Sequence, residues 1–499
     1  MFDLVEYRSL AFEFMKEKNR ALFDYHSGIN AKANLEPVYK KYGSRLFSNR
    51  VVEEIIRAVA SAESGDIRRL KWFAGFAFDE NFATKTLFID EEIASEKADA
   101  DYDYNQAQIR RSDSSLEAAV IYEKLKQHKM KTRDLYVKRL RIQRESFKWI
   151  NSESHLCDDC DGDKSTSPIG GRFLSDELGQ SLSILEIQLK QFITASGDYY
   201  MAHLQKFSKN FLSCSVDAIE PWDIPILLRG KKFDSLFTDW SPISLVKRTL
   251  MGLGVDLKKM DNIFIDTVKR RGKSVTPYCS RIAVPDEIGV SLYPVGGVAD
   301  VLNLFHLLGE ALQSAHVSSE QSFEFSSLGD GAIWSTCGFL FQYLLLNREW
   351  LKDYLRLENS DEFRDFIHFR KLYLLRSEAV NFLSGLEYVR GNVKDEDDLA
   401  TEVARLKQEV LGHKYDREFA FSSFKSHFGT TDYLRGWIFE AELREILVSR
   451  FGERWYSRPG AGDFLKELWS YGQRFTAPEL AAKIRLLELD ILPLRRELE

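Results

Sequence analysis

The chain has 499 residues, 44% of them hydrophobic, and its 69 Lys and Arg stand against 76 Asp and Glu, a net charge of −7. That apolar fraction excludes global disorder and supports a large core, while the acidic balance gives no support to nucleic-acid binding by the chain as a whole. Five cysteines, an odd number, argue against a disulfide framework; Met1 to Arg20 carries Asp3, Glu6 and Glu13 and does not read as a signal peptide; and the most apolar run, Phe339 to Leu346, is too short to span a bilayer. These features predict a soluble, cytoplasmic chain with no membrane and no nucleic-acid partner.

In chain order, Leu10 to Phe23, Pro37 to Ala60 and Asp66 to Phe78 repeat apolar residues at helical spacing, the last with Arg68, Arg69 and Lys71 turned outward. Ser114 to Trp149 reads as a long charged helical stretch whose basic end is a solvated face. Asn151 to Gly171 is rich in Ser, Asp and Gly and reads as a linker-like loop. It divides a helical region 1–170 from a larger region 172–499. Within it, His155, Cys157 and Cys160 fall one donor short of a structural zinc site. The acidic run Asp158, Asp159, Asp161, Asp163 fails as a calcium loop. Counted from Asp159, Lys164 stands where the turn needs Gly and Gly170 where the bidentate Glu belongs.

Phe173 to Phe211 returns to helix, with a stripe through Leu178, Leu182, Leu185, Leu189 and Phe192. A connector with Pro221 and Pro225 leads to a helix from Pro242 to Leu253, which ends in a turn at Gly252 and Gly254. Cys279 to Pro294 has the β-branched, alternating texture of a small hairpin, and Gly296-Gly297 then turns the chain into a central helix, Val298 to His316. One face of that helix is apolar, through Val301, Leu304, Phe305, Leu308 and Leu312. The other carries Asn303, His306, Glu310 and Gln313. His306 and Glu310 are one turn apart, so their side chains can converge. Trp334 to Tyr354, Phe363 to Tyr388, Leu399 to Leu411 and Leu434 to Arg450 are helical, and Asp463 to Glu499 is helix interrupted near Pro478 and Pro493. There is no nucleophile elbow and no phosphate-binding loop, and Cys337 on an apolar helix reads as an inert buried thiol.

Hairpin, Gly-Gly turn, helix with His, then a later helix: this order resembles the thimet-oligopeptidase-like zinc metallopeptidases, the oligoendopeptidase group. The segments Trp222 to Phe237, Cys279 to Gly297, Gly338 to Leu351 and Asp432 to Ala481 are similar to that family's catalytic region. The resemblance implies a mostly α fold with a thermolysin-like zincin core, one small β element and an interlobe channel. Its enzymes carry His-Glu-x-x-His on one helix, a third zinc ligand on the next, and a late Tyr, sometimes with a His, that stabilises the oxyanion.

Here the corresponding stretch reads FHLLGEALQ. His306 stands at the first ligand, Leu307 at the general base, Glu310 at the second His and, by its flanks, Ser335 at the third ligand; Tyr433 and His427 stand at the oxyanion positions. Leu has no proton to exchange and Ser is a weak ligand. The resemblance therefore implies a pseudo-peptidase that needs no cofactor and holds a peptide or partner segment in its channel, with His306 lining that channel against Glu310. Two alternatives stay open. One is an active metallopeptidase with zinc on His306 and Glu310, assisted by His316 or Asp330. The other is a purely structural helical protein whose channel has filled.

Overall fold

The computed structural model describes residues 2–154, 182–238, 241–424, 429–486 and 490–497. The His155–Asp163 loop, the linker reading beyond residue 154, Leu178 and His427 lie outside the described residues. Helix α1 (Leu4–His26) starts at Asp3, whose carboxylate accepts hydrogen bonds from the Val5 and Glu6 amides at 3.0 Å and so satisfies two amides that a helix start leaves open. The stretch expected as one helix from Pro37 to Ala60 is two, α2 (Glu36–Leu46) and α3 (Asn49–Ser61), because Ser48 takes extended backbone at the N-cap position. Helix α4 (Ser64–Asp99) runs unbroken well past Phe78. After α5 (Tyr102–Arg111), the charged stretch divides at Thr132 into α6 (Ser115–Lys131) and α7 (Arg133–Ser154).

Arg68 and Arg69, expected to point outward, are partly exposed, at 37% and 32%, and each is tied to a carboxylate. Arg8 and Arg69 both donate to the fully buried Glu324, at 2.7 Å and 2.8 Å, and Arg68 forks onto Glu479 at 2.7 Å and 2.5 Å. A planar five-donor guanidinium matches a carboxylate two bonds at a time, so these arginines fasten the N-terminal helices to the rest of the molecule.

Helices α8 (Leu182–Ala195), α9 (Gly197–Phe207), α10 (Asp223–Arg229) and α11 (Pro242–Gly252) lead to a three-stranded sheet. The expected hairpin is present as β2 (Tyr278–Ala283) against β3 (Glu287–Ser291), antiparallel, with an irregularity between Arg281 and Ala283. A strand the sequence reading did not include, β1 (Ile263–Asp266), pairs parallel to β3, giving the order β1-β3-β2. The central helix α12 (Gly297–Ala315) follows, then α13 (Phe323–Ser327) and α14 (Gly331–Gln342).

The segment expected as one helix from Trp334 to Tyr354 breaks at Asn347, whose side chain accepts from the Trp350 amide at 2.8 Å and caps α15 (Arg348–Leu355). Long helices α16 (Asp361–Arg390), α17 (Glu396–Leu411) and α18 (Gly429–Phe451) precede α19 (Pro459–Ser470), α20 (Ala477–Lys483) and α21 (Leu492–Arg496). Pro478 and Pro493 are each the second residue of a helix. They begin helices rather than interrupt them, since proline is preorganised for a first turn that has no amide bond to lose. Among the described residues no helix is long and apolar enough to cross a membrane.

Three helices form the centre. A Cβ on Gly309 of α12 would lie 2.1 Å from the Cys337 carbonyl of α14, and one on Gly436 of α18 would lie 2.7 Å from the Ser335 Cβ. Missing side chains at these two places let α12, α14 and α18 stack at backbone contact.

Candidate functional site

Helix α12 owes its entry angle to two carboxylates. Asp300 accepts from the Val295 and Gly296 amides, each at 2.8 Å. Asp234, gripped by Arg229 at 2.7 Å and 2.6 Å, fills the space where a Gly297 side chain would stand. Gly296 and Gly297 both have positive φ, 101° and 59°, which suits glycine. The helix is thereby aimed so that its polar stripe points inward: Glu310 and Gln313 are buried, while Asn303 and His306 keep partial exposure.

His306 Nε2 and Glu310 Oε1 lie 3.1 Å apart. They are in contact but poorly aligned for a hydrogen bond, since Glu310 Oε1 and His306 Nδ1 are both buried without a hydrogen-bond partner. Two further neighbours of the imidazole are an apolar ring and a bare backbone. Phe339 lies against it with centroids 4.8 Å apart, and a Cβ on Gly338 would meet its Cε1 at 2.7 Å and Nδ1 at 2.9 Å. Leu307 is buried in the main apolar core.

Three further elements bring charge to this centre. Arg281 of β2 lays its guanidinium on the Trp334 ring at 5.0 Å, and Trp334 Nε1 donates to the Glu310 carbonyl at 3.1 Å. Burial lowers the Arg281 pKa, opposed by the nearby Cys279, Glu310 and Asp432. Asp432 of α18 lies against Gly331; burial, then the Asp330 charge, pushes its carboxyl up to about 7. Asp79 of α4 is pushed up to about 8 by burial, then by Glu80, with Asp432 adding to it. Yet Asp79 is exposed, and Arg281, Asp432 and Tyr433 are half-buried. These side chains come from α4, β2 and α18 and gather beside α12, and sequence reading missed Asp79, Arg281 and Asp432 because no local pattern links them.

The sequence-predicted positions divide. Tyr433 is at the centre: its ring meets Phe339 edge-on at 6.0 Å, and burial, followed by the Glu310 charge, raises its hydroxyl pKa. Ser335 is buried with its Cβ against Gly436 of α18, whereas Gly338 and Phe339 are the α14 residues that abut the imidazole. Asp330 does not serve His306. Its two carboxylate oxygens take Arg435 at 2.9 Å and 2.6 Å, the Ala332 amide at 2.9 Å and the Ala477 amide at 2.7 Å. His316 lies ten residues along α12, about 15 Å at helical rise, with Nδ1 on the Leu312 carbonyl at 2.9 Å. Cys337 is buried, takes a hydrogen bond from Trp469 at 3.2 Å, and burial pushes its thiol up to about 12, which disfavours the reactive thiolate.

A metal ion of the kind this fold family implies does not fit these donors. His306 and Glu310 face each other, the space beyond Nδ1 belongs to Gly338, and among the described residues no three His, Cys, Asp or Glu side chains come together to hold an ion. Two ligands do not complete a zinc site.

No family model and no curated protein sequence matches the chain. Its fold is similar to two solved structures. One is Trypanosoma cruzi metallocarboxypeptidase 1, with TM-score 0.63, 13% identity, and coverage of 99% of this chain and 98% of that one. The other is the M32 carboxypeptidase from Deinococcus radiodurans R1, with TM-score 0.54, 12% identity, and coverage of 99% and 97%. The chain therefore has an α-helical metallopeptidase fold over nearly its whole length.

Proposed function

We propose that this chain is a non-hydrolytic metallopeptidase-fold protein, derived from the oligoendopeptidase group, that holds an extended peptide or partner segment in the cleft beside His306. The single observation that carries the reading is the closed pair at the centre: His306 is turned onto Glu310 at 3.1 Å with Leu307 in the core where a general base would stand. Peptide hydrolysis needs a base to take a proton from the attacking water, and loss of such a group alone costs about 10²–10⁴-fold in rate. The remaining polar groups of the cleft suit binding. Arg281 and Tyr433 can donate to peptide carbonyls, and Asp79 and Asp432 can accept from amides or pair with basic side chains.

The test is elemental analysis of the purified chain together with hydrolysis of short peptides. The expected result is no stoichiometric transition metal and no cleavage. Stoichiometric zinc in the parent, with peptide cleavage that chelators abolish, would overturn the proposal in favour of an active remodelled site.

A further inference from the structure

On the far side of α18 from its Tyr433 end, four charged side chains meet below the surface. Lys371 of α16 places Nζ 3.1 Å from Glu440 Oε2 and 3.0 Å from each oxygen of Glu497. Arg444 of α18 donates to Glu440 Oε1 at 2.7 Å and also to Glu497. Lys371 and Glu440 are almost wholly buried, with side chains 3% and 0% exposed. Lys371 further rests over the Tyr343 ring at 4.4 Å. Burial works to raise the Glu497 carboxyl, but Lys371 and Arg444 override it and hold it far down.

The four charges balance only because Glu497 is there. Lys371, Arg444 and Glu440 sit on two long helices of the body. Glu497 directly follows α21, a five-residue helix too short to be stable alone. It is held by the buried Ile491 and Leu494 and by the exposed Arg496–Glu445 pair at 2.6 Å. Beside the quartet opens a hollow of about 660 Å³ whose lining carries Arg364, His368 and Arg444 on one hand and Glu349, Glu453 and Glu497 on the other. Without Glu497, two cations would face one carboxylate next to open space, and an uncompensated buried charge is strongly disfavoured.

We propose that Lys371 and Arg444 form a carboxylate-binding site, filled here by the chain's own Glu497 and open to an external carboxylate when α21 is displaced. The ligand class is a carboxylate, carried by a small acid or by a peptide's acidic side chain or terminus; two cations and a hollow of that size recognise the head group and accommodate what it is attached to. Because Glu497 is tethered, it competes at high effective concentration, so the site is masked in the intact chain. This inference does not rest on the reading of the His306 cleft.

The experiment is thermal melting of the full chain in sodium acetate against sodium chloride at equal ionic strength, for the parent, Glu497→Gln, and Glu497→Gln with Lys371→Met. The expected result is that acetate raises the melting temperature of Glu497→Gln by several degrees over chloride and leaves the parent and the double variant unchanged. A capped dipeptide with a free terminal carboxylate, compared with its amide and with acetate, then shows which carrier the site prefers. Equal acetate and chloride curves for Glu497→Gln, or an acetate effect of equal size in all three proteins, would overturn the proposal. A readout on the parent alone covers the case in which Glu497→Gln does not fold: acetate at molar concentration should speed protease cleavage between α20 and α21 relative to chloride, and an unchanged rate would also overturn it.

Discussion

Asp330 holds the N-terminus of α14, and through it the wall behind His306, so its removal is a direct test of how the centre is built. In Asp330→Ala three losses coincide. The buried Arg435, whose side chain is 1% exposed, keeps its charge and loses the carboxylate it forks onto, and breaking a buried pair from one side costs about 3–5 kcal/mol. The Ala332 amide loses its cap at 2.9 Å, worth about 1 kcal/mol. The Ala477 amide at the start of α20 loses an acceptor at 2.7 Å, a cost of about 1–3 kcal/mol for a buried donor.

These effects share one site and do not add fully, so the expected loss is about 4–6 kcal/mol, a large part of a typical 5–15 kcal/mol stability. Urea titration followed by tryptophan fluorescence measures it, with the slope checked so that the midpoint shift reads as stability. The companion variant Asp330→Ala with Arg435→Met removes the buried guanidinium as well and should be more stable than the single variant. A single-variant loss below about 1 kcal/mol, the worth of an exposed pair, or a double variant less stable than the single, would refute the reasoning.

Two further outcomes follow from the same coordinates. The Asp79 carboxyl sits at about 8 in the folded chain against an ordinary 3.8; a raised folded-state pKa means that its contribution is fully present below about 4 and is lost as pH rises through about 8. Asp79→Asn should therefore melt increasingly above the parent as pH climbs from about 4 to about 9, and a difference that stays flat across that window would contradict the cleft assignment. Gly309→Ala would push a methyl to 2.1 Å from the Cys337 carbonyl and should cost at least about 1–3 kcal/mol by thermal denaturation. Gly460→Ala in α19, whose added carbon would find Phe451 at an ordinary 3.6 Å, serves as the control and should be neutral or mildly stabilising.

Periodicity exposed the helices of this chain because each long amphipathic run carries its own record of what it packs against. The hairpin was legible for the same reason, through alternation around Pro285-Asp286. Strand β1 was not: Ile263 to Asp266 is four residues long, Phe264 is 59% exposed, and the strand exists only through its parallel pairing with β3, more than twenty residues away. Helix breaks at Ser48 and Asn347 were written in capping residues rather than in hydrophobicity.

The His306–Glu310 contact could be read from spacing alone, since both lie on one helix. Asp79, Arg281 and Asp432 could not, because three distant elements must fold before those charges meet. Ser335 illustrates the residual ambiguity of a helix: an alignment by flanking residues fixes a position in the chain, while the rotation of α14 decides whether it faces α12 or α18.

Glu324 lies in the short connection between α12 and α14, and guanidinium groups from α1 and α4 hold it from outside. The amino-terminal third of the molecule is thus a brace on the loop that joins two of the three innermost rods. Swinging that third away would tear a desolvated carboxylate from both its cations at once, so the connection between these rods is stiffened from a part of the chain 255 to 316 residues distant.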